Sequence, residues 1–448
     1  IIIWMFYVTA KNNKNKHMKN IIQLILIMFV TISVAQQTPA PAQKESILIT
    51  GATAHIGNGT VIENSAVGFE NGKITFIGKA SEANTSNYNQ VIDASNKHVY
   101  PGFIALNSTL GLVEIDAVRA TDDEDEVGSL LPHIRSLIAY NAESKIVESM
   151  RPNGVLMGQI TPRGGRISGT SSVVQFDAWN WEDAAIKTDD AIHLNWPNSL
   201  KRGRPWRGEE PGLKPNEDYN HEINEVTSFL TEAKAYFSGD EKPRNLPFEA
   251  TEGLFNGSKK LFIHVDGARE ITDAINFGEK IGVQNMVIVG GDQADKVSNM
   301  LASKNIPVVI QRPHRLPSNN DENIKHTFML ASLLNKAGVL CGIDPSGGME
   351  RMNTRNLPFY AGTFAAYGLE KEKAVQLITE NAAKIAGIDA FAGTITTGKD
   401  ATLFISEGDA LDMRTNIISN AFIQGRAISL ETHQTELWHR YSNKYKQQ

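Results

Sequence analysis

The chain has 448 residues, of which 41% are hydrophobic and 21% are charged, and its formal net charge at pH 7 is −6. The composition is that of an ordinary globular protein, and the length suits one large domain with a smaller one better than a single core. No run of like charge is long enough for a nucleic-acid-binding tail, so nucleic-acid binding is disfavoured. The single cysteine, Cys341, excludes an intramolecular disulfide framework and a thiolate metal cluster.

The N-terminal part of the sequence predicts export. Residues 1–17 are interpreted as translated upstream sequence, because residue 1 is Ile and the pattern changes at Met18. Residues 18–35 combine an early lysine, an apolar run and small residues near Ala35, which is typical of a secretory signal peptide. The apolar run is short for a membrane span, and a Pro/Ala/Gln linker follows it. We therefore expect a secreted or periplasmic protein with no membrane span after cleavage, and an uncleaved anchor is the alternative.

Short strand-like segments stand at both ends of the remaining chain. Residues 47–98 alternate between apolar and polar residues and are broken by Gly/Asn turns, which predicts antiparallel strands. Residues 394–430 show the same pattern, with Gly-Lys and Gly-Asp turns. The simplest account pairs the two segments. The sequence thus predicts a small β-sandwich domain built from both terminal segments.

Between these segments, residues 99–390 alternate strand-like and helical patterns. Nearly continuous apolar runs such as KLFIHVD, NMVIVGG and IPVVIQ are separated by amphipathic stretches. Such strands indicate a parallel sheet buried on both faces, and the length favours an α/β fold, a (β/α)8 TIM-like barrel, over an open sheet. Residues 180–245, rich in Trp, Pro and charge, are interpreted as an insertion. Two roles stay open for its tryptophans and arginines, namely contact with an anionic substrate, or packing and solubility; they are Trp196, Trp206, Arg202, Arg204 and Arg207.

Several motifs resemble those of one family. The run HVYPGFIALNSTLGL resembles the first barrel strand of the amidohydrolase superfamily, whose pattern is PGFID-x-H-x-H. GTITTGKDATLFI resembles the closing strand of that superfamily, and residues 356–388 resemble its last helices, especially in imidazolonepropionase-like members. The resemblance covers about residues 47–430, with the motifs in the family's order. It implies a metal-dependent hydrolase whose metal ligands lie at the C-terminal ends of barrel strands.

Taken residue by residue, the resemblance implies an incomplete set of metal ligands. Asn107 and Thr109 replace the two histidines of the first-strand pair, and their oxygens are poor zinc ligands. His264 stands at the position of the fifth-strand histidine ligand, with a hydrogen-bonded core residue as the alternative. Asp344 stands at the position of the catalytic aspartate, which also binds metal, with an Asp-Pro turn as the alternative. His314 follows the seventh-strand run and is predicted to contact substrate.

Two functions follow from these substitutions. The first is a hydrolase of carbon–nitrogen bonds in a small molecule, such as a non-peptide, cyclic or dipeptide amide, that uses water activated by a divalent metal, above all zinc. The second is a catalytically silent homologue with no bound metal. It would act as a binding protein or as the partner subunit of an active amidohydrolase paralogue, and a homo-oligomer is a further option. The altered first strand favours the second function, whereas the otherwise intact barrel favours the first.

Overall fold

Two large β-sheets organise the part of the chain that the computed structural model describes, which is residues 38–239, 243–317, 322–346 and 350–446. The predicted upstream segment and signal peptide, residues 1–35, lie outside these ranges. Each large sheet has eight strands, and a two-stranded hairpin accompanies them. None of the helices in the described ranges is both long and apolar enough to cross a bilayer.

The strands and helices alternate over the middle of the chain, whereas strands dominate near its start. The strands are β1 (Ile47–His55), β2 (Val61–Glu70), β3 (Lys73–Lys79), β4 (Gln90–Asp93), β5 (His98–Pro101), β6 (Phe103–Ser108), β7 (Val155–Ile160), β8 (Ile167–Gln175), β9 (Ala185–Asn195), β10 (Leu200–Arg202), β11 (Leu213–Pro215), β12 (Lys260–Val265), β13 (Met286–Gly290), β14 (Val308–Gln311), β15 (Cys341–Asp344), β16 (Leu403–Ser406), β17 (Ile418–Ile423) and β18 (Arg426–Ala427). The helices are α1 (Lys145–Glu148), α2 (Trp181–Ala184), α3 (Tyr219–Tyr236), α4 (Leu246–Ala250), α5 (Glu252–Asn256), α6 (Ala268–Ile281), α7 (Ser298–Ser303), α8 (His326–Lys336), α9 (Glu350–Asn353), α10 (Leu357–Ala366), α11 (Lys371–Leu377), α12 (Glu380–Ala386) and α13 (His433–Lys446).

The first sheet joins the two terminal segments. Its strand order is β18-β17-β16-β5-β1-β2-β3, and β4 pairs with the first half of β1. The junction is the antiparallel pair β5–β16, in which Val99 lies opposite Ile405. Buried apolar residues of this sheet, including Ile49, Val67 and Leu403, form one core cluster. Among the described residues these strands form a single sheet, and the sandwich and domain boundaries expected from the sequence stay predictions.

The second sheet is a nearly closed barrel with the strand order β6-β7-β8-β9-β12-β13-β14-β15. Its edge strands β6 and β15 lie side by side. A Cβ added to Gly342 on β15 would lie only 2.7 Å from Cδ1 of Leu106 on β6. All neighbouring strands are parallel except β8, which runs antiparallel to both β7 and β9. The α/β class and the barrel-like sheet are therefore confirmed.

The reversed strand β8 differs from the parallel strand predicted for this region. Its connection from β7 comprises only residues 161–166. A parallel crossover needs a dozen residues or more, so a strand after so short a connection returns antiparallel. The regular (β/α)8 pattern is therefore wrong at this position.

The predicted insertion, residues 180–245, is also wrong in part. Strand β9 lies inside it, and it pairs with β8 and β12 as a full member of the barrel. Polar residues such as Lys187, Asp190 and His193 interrupt the apolar run that marks the other barrel strands, which hid this strand in the sequence. The rest of the region includes helix α2, the hairpin β10–β11 and the whole of helix α3.

Aromatic packing joins the first sheet to the barrel. Phe404 on β16 packs edge-on against Phe103, with 4.9 Å between ring centroids, and stacks on Tyr100 at 5.5 Å. Gly154 lies beneath the same ring with φ +80°, and a Cβ there would lie 2.5 Å from Phe404. Both the left-handed backbone and the close approach therefore require glycine at this position.

A buried ion cluster ties together three distant parts of the chain. Asp177, which follows β8, lies 3.3 Å from Nη1 of Arg151 and 2.8 Å from Nη1 of Arg426 on β18. It also accepts a hydrogen bond from the main-chain N of Ala40 at 2.9 Å. The side chains of Asp177 and Arg151 are each only 2% exposed. One carboxylate therefore holds the N-terminal segment, the end of β8 and the last strand.

A histidine pair in the first sheet makes stability depend on pH. Nδ1 of His55 lies 2.9 Å from Oε1 of Glu372 on α11, and its Nε2 lies 3.0 Å from Nδ1 of His98. Burial, and then the neighbouring His55 and Lys371, lower the pKa of His98. Because the unfolded chain then binds the proton more readily, this contribution to stability is present above about pH 6.5 and is lost as the pH falls below it.

We therefore expect the free energy of unfolding of the wild type to fall more steeply than that of His98→Gln between pH 7 and 5. The free energy of unfolding of the wild type should fall by up to about 1.4 kcal/mol more per pH unit than that of the variant, which is the value for one proton taken up on unfolding. Urea unfolding of both proteins across this range measures the difference. Parallel pH profiles would show that His98 titrates normally in the folded protein.

Candidate functional site

The interior of the barrel changes from apolar to polar along the strands. Met157 and Phe262 belong to a buried cluster that also contains apolar residues of α12. Gln159 and His264 stand two residues further along the same strands. Side chains two residues apart point to the same face of a strand, so these polar groups share the inner face, nearer the C-terminal ends.

A cavity of about 490 Å³ opens at this end of the barrel. It lies at the C-terminal ends of the strands, the rim at which barrel enzymes place their active sites. Its lining residues are Asn107, Arg163, Asn195, Trp196, Asn198, His264, Val265, Asp266, Val289, Gly290, Gln311, Asp344 and Ser346. The positions singled out from the sequence as Asn107, His264 and Asp344 thus share one cavity.

Asp344 is held by its neighbours across the barrel seam. Its Oδ2 accepts hydrogen bonds from Nδ2 of Asn107 at 3.0 Å and from Oγ of Ser346 at 2.7 Å. Its Oδ1 accepts a hydrogen bond from the main-chain N of Ser346 at 2.8 Å. Burial raises the pKa of Asp344, while the charge of Arg163 and these hydrogen bonds oppose the rise. The result is a fixed carboxyl group that is more basic than an exposed aspartate.

Arg163 is a site residue that the sequence did not reveal. It lies in the short connection between β7 and β8, and it donates from Nη1 to Oδ1 of Asn107 at 3.0 Å and from Nη2 to the main-chain O of Asn107 at 2.8 Å. Asn107 has φ +52° and lies in an irregular part of the β6–β7 pairing. Such a bulge re-aims a side chain and a carbonyl, so both acceptors of Asn107 face the arginine. Arg163 forms no ion pair with a carboxylate of the described ranges.

Buried hydrogen bonds extend from Asn107 into the barrel. Its main-chain N donates to Oε1 of Gln159 at 3.2 Å, and Nε2 of Gln159 donates to Oδ2 of Asp190 at 2.7 Å. The other oxygen of Asp190 accepts a hydrogen bond from Oγ of Ser171 at 2.7 Å. Burial raises the pKa of Asp190. The buried polar groups of Asn107, Gln159, Asp190 and Ser171 therefore form one chain of hydrogen bonds that runs from β6 to β9.

The network ends at two adjacent imidazoles. Nε2 of His193 lies 2.9 Å from Oγ of Ser171, and its Nδ1 lies 3.0 Å from Nε2 of His264. Burial lowers the pKa of both rings, and burial together with the charge of Arg163 lowers that of His264 to about 3. Both imidazoles are therefore neutral at pH 7, and Nε2 of His264 is engaged in a hydrogen bond with His193.

The residues at the mouth do not fit the metal that the family resemblance implies. Zinc takes three or four nitrogen, sulfur or carboxylate ligands around one point. His264, Asp344 and Asp266 line the cavity beside the guanidinium of Arg163, but the three donor side chains are not grouped around one position. Thr109 is fully buried outside the lining, and its hydroxyl has no hydrogen-bond partner among the described residues. No group of three His, Cys, Asp or Glu side chains in the described ranges is arranged to hold a metal ion.

His314 stands apart from this cavity. Its Nε2 lies 2.9 Å from Oγ1 of Thr363, and its ring meets the edge of Tyr360 at 5.4 Å between centroids. Both partners belong to α10, and His314 is not among the residues that line the mouth. His314 therefore packs against helix α10, and the substrate contact predicted for it stays a prediction.

A basic hairpin borders the mouth. A second cavity, of about 790 Å³, shares Asn195, Trp196 and Asn198 with the first and extends along β10 and β11. Trp196 is buried and donates from Nε1 to the hydroxyl of Tyr219 at 3.1 Å, whereas Trp206 is 80% exposed. Three arginines of the hairpin form no ion pair within the described ranges; they are Arg202, Arg204 and Arg207.

The missed site residues had weak signals in the sequence. Asp190 and His193 are polar residues beside the apolar pair Ala191 and Ile192 on β9, and buried polar residues of this kind favour an inward-facing site in a barrel. Arg163 directly follows the strand QIT in a Gly-rich connection, and residues just after barrel strands line the mouth. Neither signal names a chemical role by itself.

Comparison with known proteins agrees with the fold. Residues 249–428 match the model of the amidohydrolase family. A segment of 44 residues is 54% identical to imidazolonepropionase from Bacillus thuringiensis (strain Al Hakam), and this match spans 10% of the chain and 10% of that relative. The crystal structure of an amidohydrolase from Thermotoga maritima MSB8 superposes with a TM-score of 0.73 at 24% identity, over 86% of this chain and 99% of that one.

A more distant structure has the same fold. A prolidase crystallised with N-methylphosphonate-L-proline superposes with a TM-score of 0.54 at 15% identity, over 86% of this chain and 99% of that one. The family match covers β12 to β18, which include the strands that carry His264 and Asp344. The family match over residues 249–428, the short match to imidazolonepropionase and the shared fold together support the resemblance to the amidohydrolase superfamily.

Proposed function

We propose that this protein is a hydrolase of carbon–nitrogen bonds in small molecules and that the cavity at the barrel mouth is its active site. The observation that carries the proposal is Asp344, a buried carboxyl group that faces this cavity and is fixed by Asn107 and Ser346. The match of residues 249–428 to the model of the amidohydrolase family supports it. The metal-activated water expected from the family does not enter the proposal, because the donor groups do not fit a metal.

The proposed reaction uses Asp344 to move one proton. Burial raises its pKa, so the carboxylate is a better proton acceptor than an exposed aspartate. It takes a proton from water as the water oxygen bonds to the substrate carbonyl carbon. It returns that proton to the leaving nitrogen as the carbon–nitrogen bond breaks, so no other reactant is consumed. The positive charge of Arg163, which acts on Asp344, lines the same cavity and favours the negative oxygen of the intermediate.

The proposal is tested by incubating purified protein with three substrate classes. These are dipeptides that end in proline, N-acyl amino acids and five-membered cyclic amides, chosen because similar proteins are named prolidase and imidazolonepropionase. Release of a free amine or carboxylate is followed by liquid chromatography. Turnover by the wild type that disappears in Asp344→Asn supports the proposal. Equal turnover by both proteins would point to a contaminating hydrolase and would contradict it.

A catalytically silent binding protein is the second candidate. The observation that favours it is the replacement of the two first-strand histidines by Asn107 and Thr109, together with the presence of Arg163 beside Asn107. Saturable binding of one of these small molecules without any turnover would favour this candidate over the hydrolase. A homo-oligomer, pairing with an active paralogue and export from the cytoplasm stay predictions.

A further inference from the structure

The positive charge at the barrel mouth belongs to the chain itself. Arg163 holds Asn107 by two hydrogen bonds, of 3.0 Å to its side-chain oxygen and 2.8 Å to its main-chain oxygen. Asn107 in turn donates to Asp344. The guanidinium is therefore hydrogen-bonded to the residue at the position where the family resemblance puts a histidine metal ligand. Asn107 links it to the carboxyl group of Asp344, which is proposed to move the proton.

This arginine has hydrogen-bonding capacity that its neighbours do not use. A guanidinium carries five N–H groups, and within the described ranges the Arg163 side chain donates hydrogen bonds only to the two oxygens of Asn107. The side chain is partly exposed, and it lines the cavity. No carboxylate of the described ranges pairs with it. A half-buried guanidinium of this kind can bind a negatively charged oxygen of a ligand. It binds that oxygen more strongly than a fully solvated cation would, because less water screens the two charges.

The same charge disfavours a divalent metal at the mouth. A metal ion held by His264 and Asp344 would share the cavity with the guanidinium, and two positive charges at short range in a partly dry site repel strongly. His264 also has its Nε2 engaged by His193. Two protein ligands seldom hold zinc tightly even without such a repulsion.

We propose that the Arg163 guanidinium supplies, at the mouth of this barrel, the fixed positive charge that a metal ion supplies in related hydrolases, so that the site binds an anionic oxygen of its ligand without a metal. Arg202 and Arg204 line the second cavity, which shares Asn195, Trp196 and Asn198 with the mouth, and they favour the same ligand charge. This inference rests on the proposed function in one respect, because it takes the anionic ligand to be the substrate of the proposed hydrolase. Metal content and anion binding are both measured without turnover, so either can stand if hydrolysis is not found.

The first test is metal content. We expect wild-type protein purified without chelator to carry well under one zinc per chain by inductively coupled plasma mass spectrometry, and added zinc to leave its melting temperature unchanged. Zinc that remains in His264→Ala is bound elsewhere and agrees with the proposal. About one zinc per chain that is lost in His264→Ala would overturn it, because the mouth would then be a metal site.

The second test uses benzoate and benzamide, which have the same size and differ in charge. We expect benzoate to raise the melting temperature of the wild type more than benzamide does, at equal concentration and ionic strength. Arg163→Met should abolish this difference. Arg135→Met is the matched control, because Arg135 pairs with Asp189 outside the cavity, and it should keep the difference. Equal effects of the two compounds on the wild type, or a difference that survives in Arg163→Met, would overturn the proposal.

Discussion

Replacing Asp344 with Asn should lower kcat/KM for any substrate of this protein by about 10²- to 10⁴-fold, the range for the loss of a general base. The amide keeps the shape of the carboxyl group but cannot hold the proton that the reaction must move. Because burial raises the pKa of Asp344, the acidic limb of the wild-type pH profile should lie above the ordinary aspartate range. Activity should fall as the pH drops through that limb and the carboxylate is protonated.

Ser346→Ala is the matched control for this prediction. It removes one hydrogen bond to Oδ2 of Asp344 and keeps the carboxylate itself. We expect a loss of roughly tenfold or less, since one hydrogen bond contributes about 1 kcal/mol. The remaining activity of Ser346→Ala should retain an acidic limb, and that of Asp344→Asn should have none. A residual Asp344→Asn activity with an unchanged pH profile would mean that another group moves the proton.

Asp177→Ala should lower the free energy of unfolding by about 3–5 kcal/mol, the usual cost of removing one partner from a buried ion pair. The substitution leaves the guanidinium of Arg151, which is 2% exposed, without its carboxylate, and removes the partner of Arg426. It also removes the acceptor for the main-chain N of Ala40. We therefore expect earlier loss of the N-terminal segment, visible as faster proteolysis near residue 40.

An exposed ion pair provides the comparison. Glu407 lies 2.7 Å from Lys97, and its side chain is 43% exposed. Glu407→Ala should change the free energy of unfolding by no more than about 1 kcal/mol, because water solvates both charges once the pair is broken. Urea unfolding of the two variants beside the wild type gives the contrast. Equal losses would show that the cluster at Asp177 contributes no more than a surface pair.

The rim of the barrel could be predicted from the sequence because parallel strands end at the same edge. Asn107, His264 and Asp344 lie on β6, β12 and β15, and the apolar runs that mark these strands also mark where they end. Side chains at those ends therefore had to meet if the barrel formed. They do line one cavity, although their chemical roles stay predictions.

Connections and buried polar contacts could not be predicted in the same way. The reversal of β8 depends on the six-residue length of one connection, and an apolar run alone does not give strand direction. Arg163 lies in that connection, and its hydrogen bonds to Asn107 depend on how the chain turns there. His193 meets Ser171 and His264 only after three strands have paired. Such contacts result from packing between distant segments, which local pattern does not encode.

The hydrogen bonds at Asn107 constrain the mutational routes open to this protein. Its left-handed backbone conformation, with φ +52°, is one that histidine tolerates better than most residues, so the backbone does not forbid Asn107→His. That single change would nonetheless replace the amide that accepts from Arg163 and donates to Asp344. A change of Arg163 alone would leave both oxygens of Asn107 unpaired. Each of the two changes is therefore costly unless the other has already occurred, so the residues at positions 107 and 163 are coupled, and the coupling disfavours single changes at either position.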